Sequence, residues 1–380
     1  MKPIYLDYNA TTPADPEVVA ELLPYLAGDF GNPSSGHPYG RKAREAVELA
    51  RERVAALLGC DRTEVIFTGG GTEANNLALI GVALANQERG KHIISTTIEH
   101  PAVLKPLERL VELGFSVTLL PVDGTGRLDP EAVRRAITRD TLLISVMHAN
   151  NEVGTLQPLR EIGEEAREKG ILFHTDAAQS VGKIPTLTDQ LRVDLLTVAG
   201  HKFYAPKGVG ALFVRRGVKM HPCLLGAGQE GGLRPGTENV AYIVALGKAA
   251  ELASLRLASE GPRILSLRDH FHERLKALVE GVSLNGHPVE RLPNTLNVSF
   301  RGVIGAELLE RTPEIAASTG SACHEGSGEL SGVLKAMGTS REQGFGAVRL
   351  SIGRITTAAE IERAAEVLAQ RAGELRAGKR

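Results

Sequence analysis

Two short apolar runs constrain this chain more than any other feature. The first, Ile171-Leu172-Phe173-His174-Thr175-Asp176-Ala177-Ala178-Gln179, leads to an acid; the second, Asp194-Leu195-Leu196-Thr197-Val198-Ala199-Gly200-His201-Lys202, ends on an amine. Each is rich in aliphatic and aromatic residues and is bounded by turn-prone residues. Each therefore reads as a buried strand whose polar residues sit at its C-terminal end. In a doubly wound α/β sheet those ends line the ligand crevice. Asp176 and Lys202 are expected to meet there.

The remaining chain has the rhythm such a sheet needs. Strands are predicted over 64–68, 92–96, 115–120, 142–147 and 208–214, and helices over 101–113, 130–137 and 159–169. Their alternation implies an α/β fold with a mostly parallel, seven-stranded type of sheet and right-handed crossovers. Ala43, Ala46, Val47, Ala50, Val54, Leu57 and Leu58 recur at helical spacing and Gly59 is placed to stop that helix. After the strand at 64–68, Gly69-Gly70-Gly71-Thr72-Glu73 forms a glycine turn opening a helix. Free N–H groups and the positive helix end suit a phosphate there, with the Thr72 hydroxyl as a further donor; a tight turn without ligand is the other reading. Two more strand ends carry polar clusters, Ile98-Glu99-His100 and His148-Ala149-Asn150-Asn151-Glu152. The loop Gly31-Asn32-Pro33-Ser34-Ser35-Gly36-His37 is irregular and offers Asn32 and His37 to a site or to solvent.

Beyond Lys202 a flexible polar loop spans 226–237, followed by a helix over 238–257. The rhythm breaks at Gly261-Pro262. This places a large α/β domain at 15–258 and a smaller α+β domain at 1–14 plus 259–380, with a helix over 264–279, strands near 295–300, 315–318 and 347–351, and a closing helix over 358–375.

Lys+Arg of 44 against Asp+Glu of 45 leave a net charge of -1, which gives no field for nucleic acid or an anionic membrane. No stretch approaches an uninterrupted membrane span, and the first residues lack the apolar core of a signal peptide, so a cytoplasmic protein is expected. The three cysteines, Cys60, Cys223 and Cys323, are too few for a disulfide framework or zinc cluster, and any one of them could be a nucleophile.

A lysine and an aspartate presented side by side at strand ends fit pyridoxal phosphate. The amine forms a Schiff base with it, and the carboxylate keeps the pyridine nitrogen protonated. At this point ordered motifs along the chain carry a resemblance: Tyr5-Leu6-Asp7-Tyr8-Asn9-Ala10-Thr11-Thr12, Gly31-Asn32-Pro33-Ser34-Ser35, Gly71-Thr72-Glu73-Ala74-Asn75-Asn76, Glu99-His100, Asn150-Asn151-Glu152-Val153-Gly154, Asp176-Ala177-Ala178-Gln179, Gly200-His201-Lys202 and Gly320-Ser321-Ala322-Cys323. Together they resemble the cysteine desulfurases of the long-loop group I, within the class V aminotransferase-like branch of pyridoxal-phosphate fold type I.

The resemblance implies roles. Lys202 binds the cofactor, Asp176 pairs with its pyridinium nitrogen, and His100 stacks on the ring and shuttles protons. Gln179 and Asn151 bond the phenolic oxygen. Gly71, Thr72 and His201 reach the phosphate, with Thr237 doing so across a homodimer interface. Arg349 clamps the carboxylate of L-cysteine as a bidentate fork, Asn32 is a second candidate for that end, and Arg354 a third. Cys323 takes the sulfur as a persulfide for a sulfur-acceptor protein such as an iron–sulfur scaffold, while Cys60 and Cys223 lie in apolar settings. Three departures stand out: Ala199 where the family usually has Ser, His324 after the nucleophile, and a short C-terminal tail. Competing readings are a selenocysteine lyase, a C–S eliminating lyase and, more remotely, a metal-dependent hydrolase using His100, His148, His174 and His201. No standard metal-ligand spacing supports the last.

Overall fold

The computed structural model describes residues 2–320 and 330–378. After a short strand β1 (Ile4–Tyr5), seven strands build the central sheet: β2 (Val65–Thr68), β3 (His92–Thr96), β4 (Ser116–Leu120), β5 (Thr141–Ser145), β6 (Leu172–Asp176), β7 (Leu195–Ala199) and β8 (Gly210–Val214). Their order in space is β2-β8-β7-β6-β5-β3-β4. Only β8 opposes its neighbours, running antiparallel to β2 and β7. The other pairs are parallel. Strands β3, β5, β7 and β8 are buried along their whole length, because helices cover both faces of the sheet. That is why they read as continuous apolar runs rather than as alternations. The chain goes outward from β3 to β4, then returns to place β5 on the other side of β3. Such a reversal opens a crevice beyond the carboxyl ends of β3 and β5.

The helix α1 (Pro38–Leu58) buries Ala43, Val47, Ala50 and Val54 and stops at Gly59, whose φ of +66° is the left-handed conformation that closes a helix. It packs on α2 (Val240–Leu278), where Gly247 lets the two backbones approach: a Cβ there would lie 2.6 Å from that of Ala50. This second helix corrects the sequence reading. It runs unbroken through Gly261 and Pro262 for 39 residues. Proline removes one hydrogen bond to the carbonyl four residues earlier; Ala258 and Pro262 are both exposed, so water can satisfy that carbonyl. Charged contacts hold the helix on either side of the proline. Arg256 bonds Asp15, Glu260 pairs with Arg354, and Arg263 donates to the carbonyls of Arg354 and Thr356.

Beyond α2 lies the smaller body. Strands β9 (Val282–Asn285) and β10 (Thr295–Phe300) pair antiparallel, β11 (Ile315–Ala316) pairs parallel with β1, and β12 (Ala347–Ser351) lies antiparallel on the other edge of β10. Strand β9 is absent from the sequence reading: it is four residues long and carries no apolar run. Leu6, Phe271, Leu296, Phe300, Leu350 and Leu368 share one apolar core, which brings the N-terminal segment into this body. The loop at 226–237 also differs from expectation. It is anchored to its own chain: both carboxylate oxygens of Glu230, a nearly buried side chain, bond Arg51 at 2.8 Å, and Arg234 pairs with Glu73 at 2.8 Å.

Candidate active site

A cavity of about 320 Å³ opens where β3, β5, β6 and β7 end. Gly71, Thr72, His100 and Asn151 line it, as do Asp176, Gln179, His201, Lys202 and Arg349. Nine positions scattered over almost 280 residues of sequence thus converge on one space.

Asp176 ends β6. Its Oδ2 accepts a hydrogen bond from Asn75 Nδ2 at 2.7 Å and its Oδ1 one from the Ala178 N–H at 2.9 Å. Lys202 follows β7 in a single turn, Gly200–Lys202. Its Nζ donates to the backbone oxygens of Asn9 at 2.5 Å and Ala10 at 2.9 Å. Burial and the nearby Arg349 guanidinium bring its amine down to about 8, against the pull of Asp176 and Asp7.

His100 caps the helix Pro101–Glu112, its Nδ1 accepting from the Ala102 N–H at 3.0 Å. That bond fixes Nδ1 as the acceptor and leaves Nε2 to carry a proton. The surrounding protein lowers its pKa, and Lys202 adds to the effect while Asp176 opposes it. Burial and three lysines, Lys202, Lys207 and Lys183, lower His201 to about 4.

The glycine turn forms one wall. Gly70 caps the helix Gly71–Asn76 with φ +146° and ψ 179°, a region essentially restricted to glycine, and no side chain caps this end. A Cβ on Gly71 would stand 3.1 Å from that of Ala199. Position 199 therefore faces the turn, and its alanine offers no hydroxyl there.

Arg349 comes from β12. Its Nη2 is paired with Asp7 at 2.7 Å, and its Nη1 donates to the backbone oxygens of Gly320 at 2.7 Å and Asn151 at 3.0 Å. These bonds hold the fork in place, and its Nε is buried with no hydrogen-bond partner among the described residues.

Other predicted positions lie elsewhere. Asn32 is exposed, with Oδ1 accepting from the Ser34 N–H at 2.9 Å to form a local turn, and does not line the cavity. Thr237 is exposed and likewise does not reach the cavity of its own chain. Arg354 is tied to Asp15 and Glu260 and stacks 4.2 Å from the Tyr204 ring centre, outside the cavity lining. Cys323 lies outside the described residues. Cys60 has its thiol pushed up to about 12 by burial. Cys223 is exposed rather than in an apolar setting, and partial burial raises its thiol as well. Among the described residues no group of three or more His, Cys, Asp or Glu is arranged to hold a metal ion, and no helix is long and apolar enough to cross a membrane.

Sequence reasoning passed over four contributors: Asn75, Asn9, Lys183 and Glu99. Asn75 and Glu99 stand inside motifs already singled out, so their polarity beside a strand end was the available signal. Glu99 is buried; its Oε1 accepts from Thr96 Oγ1 at 2.7 Å and the Met147 N–H at 2.9 Å, and its Oε2 has no partner among the described residues. Burial pushes its carboxyl up to about 8.

A lysine, a paired carboxylate and a glycine cradle at the strand ends of a doubly wound sheet define the class V aminotransferase fold, and the aminotransferase class-V family matches residues 4–364. A cysteine desulfurase IscS of Dictyoglomus turgidum is 48% identical over 367 residues, covering 96% of this chain and 93% of that protein. Another, of Methanosarcina thermophila, is 48% identical and covers 99% and 93%. Among solved structures a NifS-like protein superposes with a TM-score of 0.92 at 36% identity, covering 98% of this chain and all of that one. The structure titled SspA in complex with cysteine has a TM-score of 0.81 at 38% identity, covering 92% and 98%. The chain belongs to the aminotransferase class-V family and, within it, to the cysteine desulfurases.

Proposed function

We propose that this enzyme is a pyridoxal-phosphate-dependent cysteine desulfurase that converts L-cysteine to L-alanine and takes the sulfur on Cys323. The observation that carries the reading is the convergence of Lys202 and Asp176 on one cavity, with the uncapped Gly70–Gly71 turn at one wall and Arg349 at another. The residues fit the cofactor. The turn leaves unfilled space and free N–H groups for a phosphate, Asp176 supplies a carboxylate for a pyridinium, and Lys202 supplies an amine whose value of about 8 keeps part of it neutral near physiological pH.

The bound cofactor supplies an electron sink that stabilises negative charge left on the substrate's α-carbon. Arg349 holds the substrate carboxylate, and Asp7 keeps the guanidinium in place for it. Lys202, whose amine sits at about 8, and His100, whose imidazole burial holds below its usual range, move the α-proton. Gln179 and Asn151 orient the ring oxygen. Cys323 attacks the substrate sulfur as a thiolate: the S–S bond forms, the C–S bond breaks, and the carbon, keeping the electron pair, is protonated to give alanine. A homodimer brings Thr237 to the other subunit's phosphate, and the persulfide passes to an acceptor protein such as an iron–sulfur scaffold. The large domain occupies 15–258 and the smaller one 1–14 with 259–380, meeting within α2.

The test is mass spectrometry of the purified holoenzyme after L-cysteine, alongside borohydride reduction and peptide mapping. One added sulfur atom on Cys323 and a reduced pyridoxyl group on Lys202 are expected. Cys323→Ser should keep the yellow colour and stop alanine formation. Alanine release at the wild-type rate by that variant would overturn the sulfur-transfer step, and a pyridoxyl group on Lys183 or Lys207 would overturn the site.

A further inference from the structure

The amide of Gln179 stands between the cavity and a lysine that does not line it. Lys183 Nζ donates to Gln179 Oε1 at 2.9 Å and to Asn9 Oδ1 at 3.4 Å, while Gln179 Nε2 donates to the Asn9 backbone oxygen at 2.9 Å. A backbone carbonyl only accepts, so Asn9 requires the nitrogen of the amide on its side, and Lys183 meets the oxygen on the other. The amide nitrogen has two protons. Asn9 takes one, and the second is left for the cavity that Gln179 lines.

The frame behind this arrangement is rigid. Asn9 donates through Nδ2 to Thr295 Oγ1 at 2.9 Å, accepts at Oδ1 from Asn294 Nδ2 at 3.0 Å, and donates from its backbone N–H to Ser351 Oγ at 2.9 Å. Lys183 follows Gly182, whose φ is +75° and where a Cβ would lie 2.8 Å from that of Phe203. The turn that delivers the lysine is therefore fixed to the segment carrying Lys202. Burial and the neighbouring cations Lys202 and Arg349 push the Lys183 amine well below its usual range. A neutral amine donates as an ammonium does, so Lys183 at the oxygen and the Asn9 carbonyl at the nitrogen together set which way the amide faces.

We propose that Lys183 is a positioning residue of the active site: by holding Gln179 Oε1 it aims an amide N–H into the cavity and sets the hydrogen bond that Gln179 gives to the ring oxygen of bound pyridoxal phosphate. The inference rests on the cofactor reading above. A donor at that oxygen favours the ionised, yellow form of the chromophore over the phenol. Loss of Lys183 leaves Gln179 Oε1 buried without a partner, and the amide turns to find one.

The experiment reconstitutes five proteins with pyridoxal phosphate at one fixed pH: wild type, Lys183→Met, Lys183→Gln, Gln179→Met, and Lys183→Met combined with Gln179→Met. The readouts are the ratio of the two absorbing forms and the cofactor dissociation constant. A wild type that takes up no cofactor overturns the underlying reading, and with it this inference; a wild type that binds it leaves the variants to decide. In Lys183→Met the ratio should shift toward the phenol on the order of fivefold, the worth of one buried hydrogen bond, and the donor-keeping Lys183→Gln should recover most of it. The double variant should match Gln179→Met. An unchanged ratio in Lys183→Met, or an equal shift with Gln179 already removed, overturns the proposal. Lys183→Ala supplies a second donor-free variant, read the same way, where Lys183→Met does not fold.

Discussion

At the scale of single residues, Glu99 shows how a cavity wall stores a pH dependence. Its carboxyl titrates at about 8 because burial disfavours the charge, with the Asp176 carboxylate adding repulsion, and the two hydrogen bonds at Oε1 only partly offset this. Between the ordinary glutamate range and about 8 the folded chain binds a proton that the unfolded chain has released. Stability therefore falls as pH rises through that window, at a slope of at most about 1.4 kcal/mol per pH unit, and levels off above it. Glu99→Gln keeps the shape and the acceptor toward Thr96 and Met147 but cannot ionise. Thermal melts of both proteins should show wild type losing ground to the variant from about pH 5 to about pH 8. Parallel curves over that range would mean that Glu99 is charged throughout. Lys202 lies on the other side of the same balance: its amine is lowered, not raised, because its charged form is the one that burial and Arg349 penalise.

At the scale of elements, the turn after β2 carries the sharpest expectation. Gly70 combines φ +146° with open space around its missing Cβ, so Gly70→Ala is costly for its backbone alone, on the order of 1–3 kcal/mol. Gly36 also has open space, but its backbone is ordinary. Gly70→Ala should lower the melting temperature and weaken pyridoxal phosphate binding together, while Gly36→Ala changes neither; equal effects would place the cause elsewhere. The strands around this turn were legible because burial on both faces writes an apolar run directly into the sequence, and Asp176, Lys202 and His100 were legible because each stands just past such a run. Other elements were not. The break expected at Gly261-Pro262 gave way to a continuous helix because exposure lets water satisfy the carbonyl freed by proline, while Arg256, Glu260 and Arg263 bind the helix to segments far away in sequence. Strand β9 has no apolar run and exists through its pairing with β10. Asn9 and Asn75 gain their roles from partners a hundred or more residues away, Asn75 from Asp176 and Asn9 from Asn294, which no local pattern records, and Lys183 stands four residues past Gln179 in a turn that no periodicity marks.

At the scale of the whole molecule, the polar loop at 226–237 ends on a threonine that its own cavity does not use. The loop at 226–237 is fastened through Glu230 to Arg51 and through Arg234 to Glu73, so its exposed Thr237 is held in place rather than free to swing inward. Leu225, next to the loop in sequence, is 91% exposed. Exposed side chains of that size favour a partner surface, and a twofold dimer would use the same patch twice. Light scattering should give twice the chain mass of 40.5 kDa. Mixing then tests what the interface contributes. Lys202→Ala lacks the amine but offers a sound Thr237, whereas Thr237→Ala keeps the amine and lacks the phosphate donor. If each cavity takes Thr237 from the other subunit, a heterodimer of the two variants contains one cavity with both groups intact, and subunit exchange should restore cofactor affinity and activity to that half. If Thr237 served its own cavity, neither cavity of the heterodimer would be whole; if it served none, Thr237→Ala alone would bind cofactor as wild type does; in both cases mixing would return only the average of the two parents.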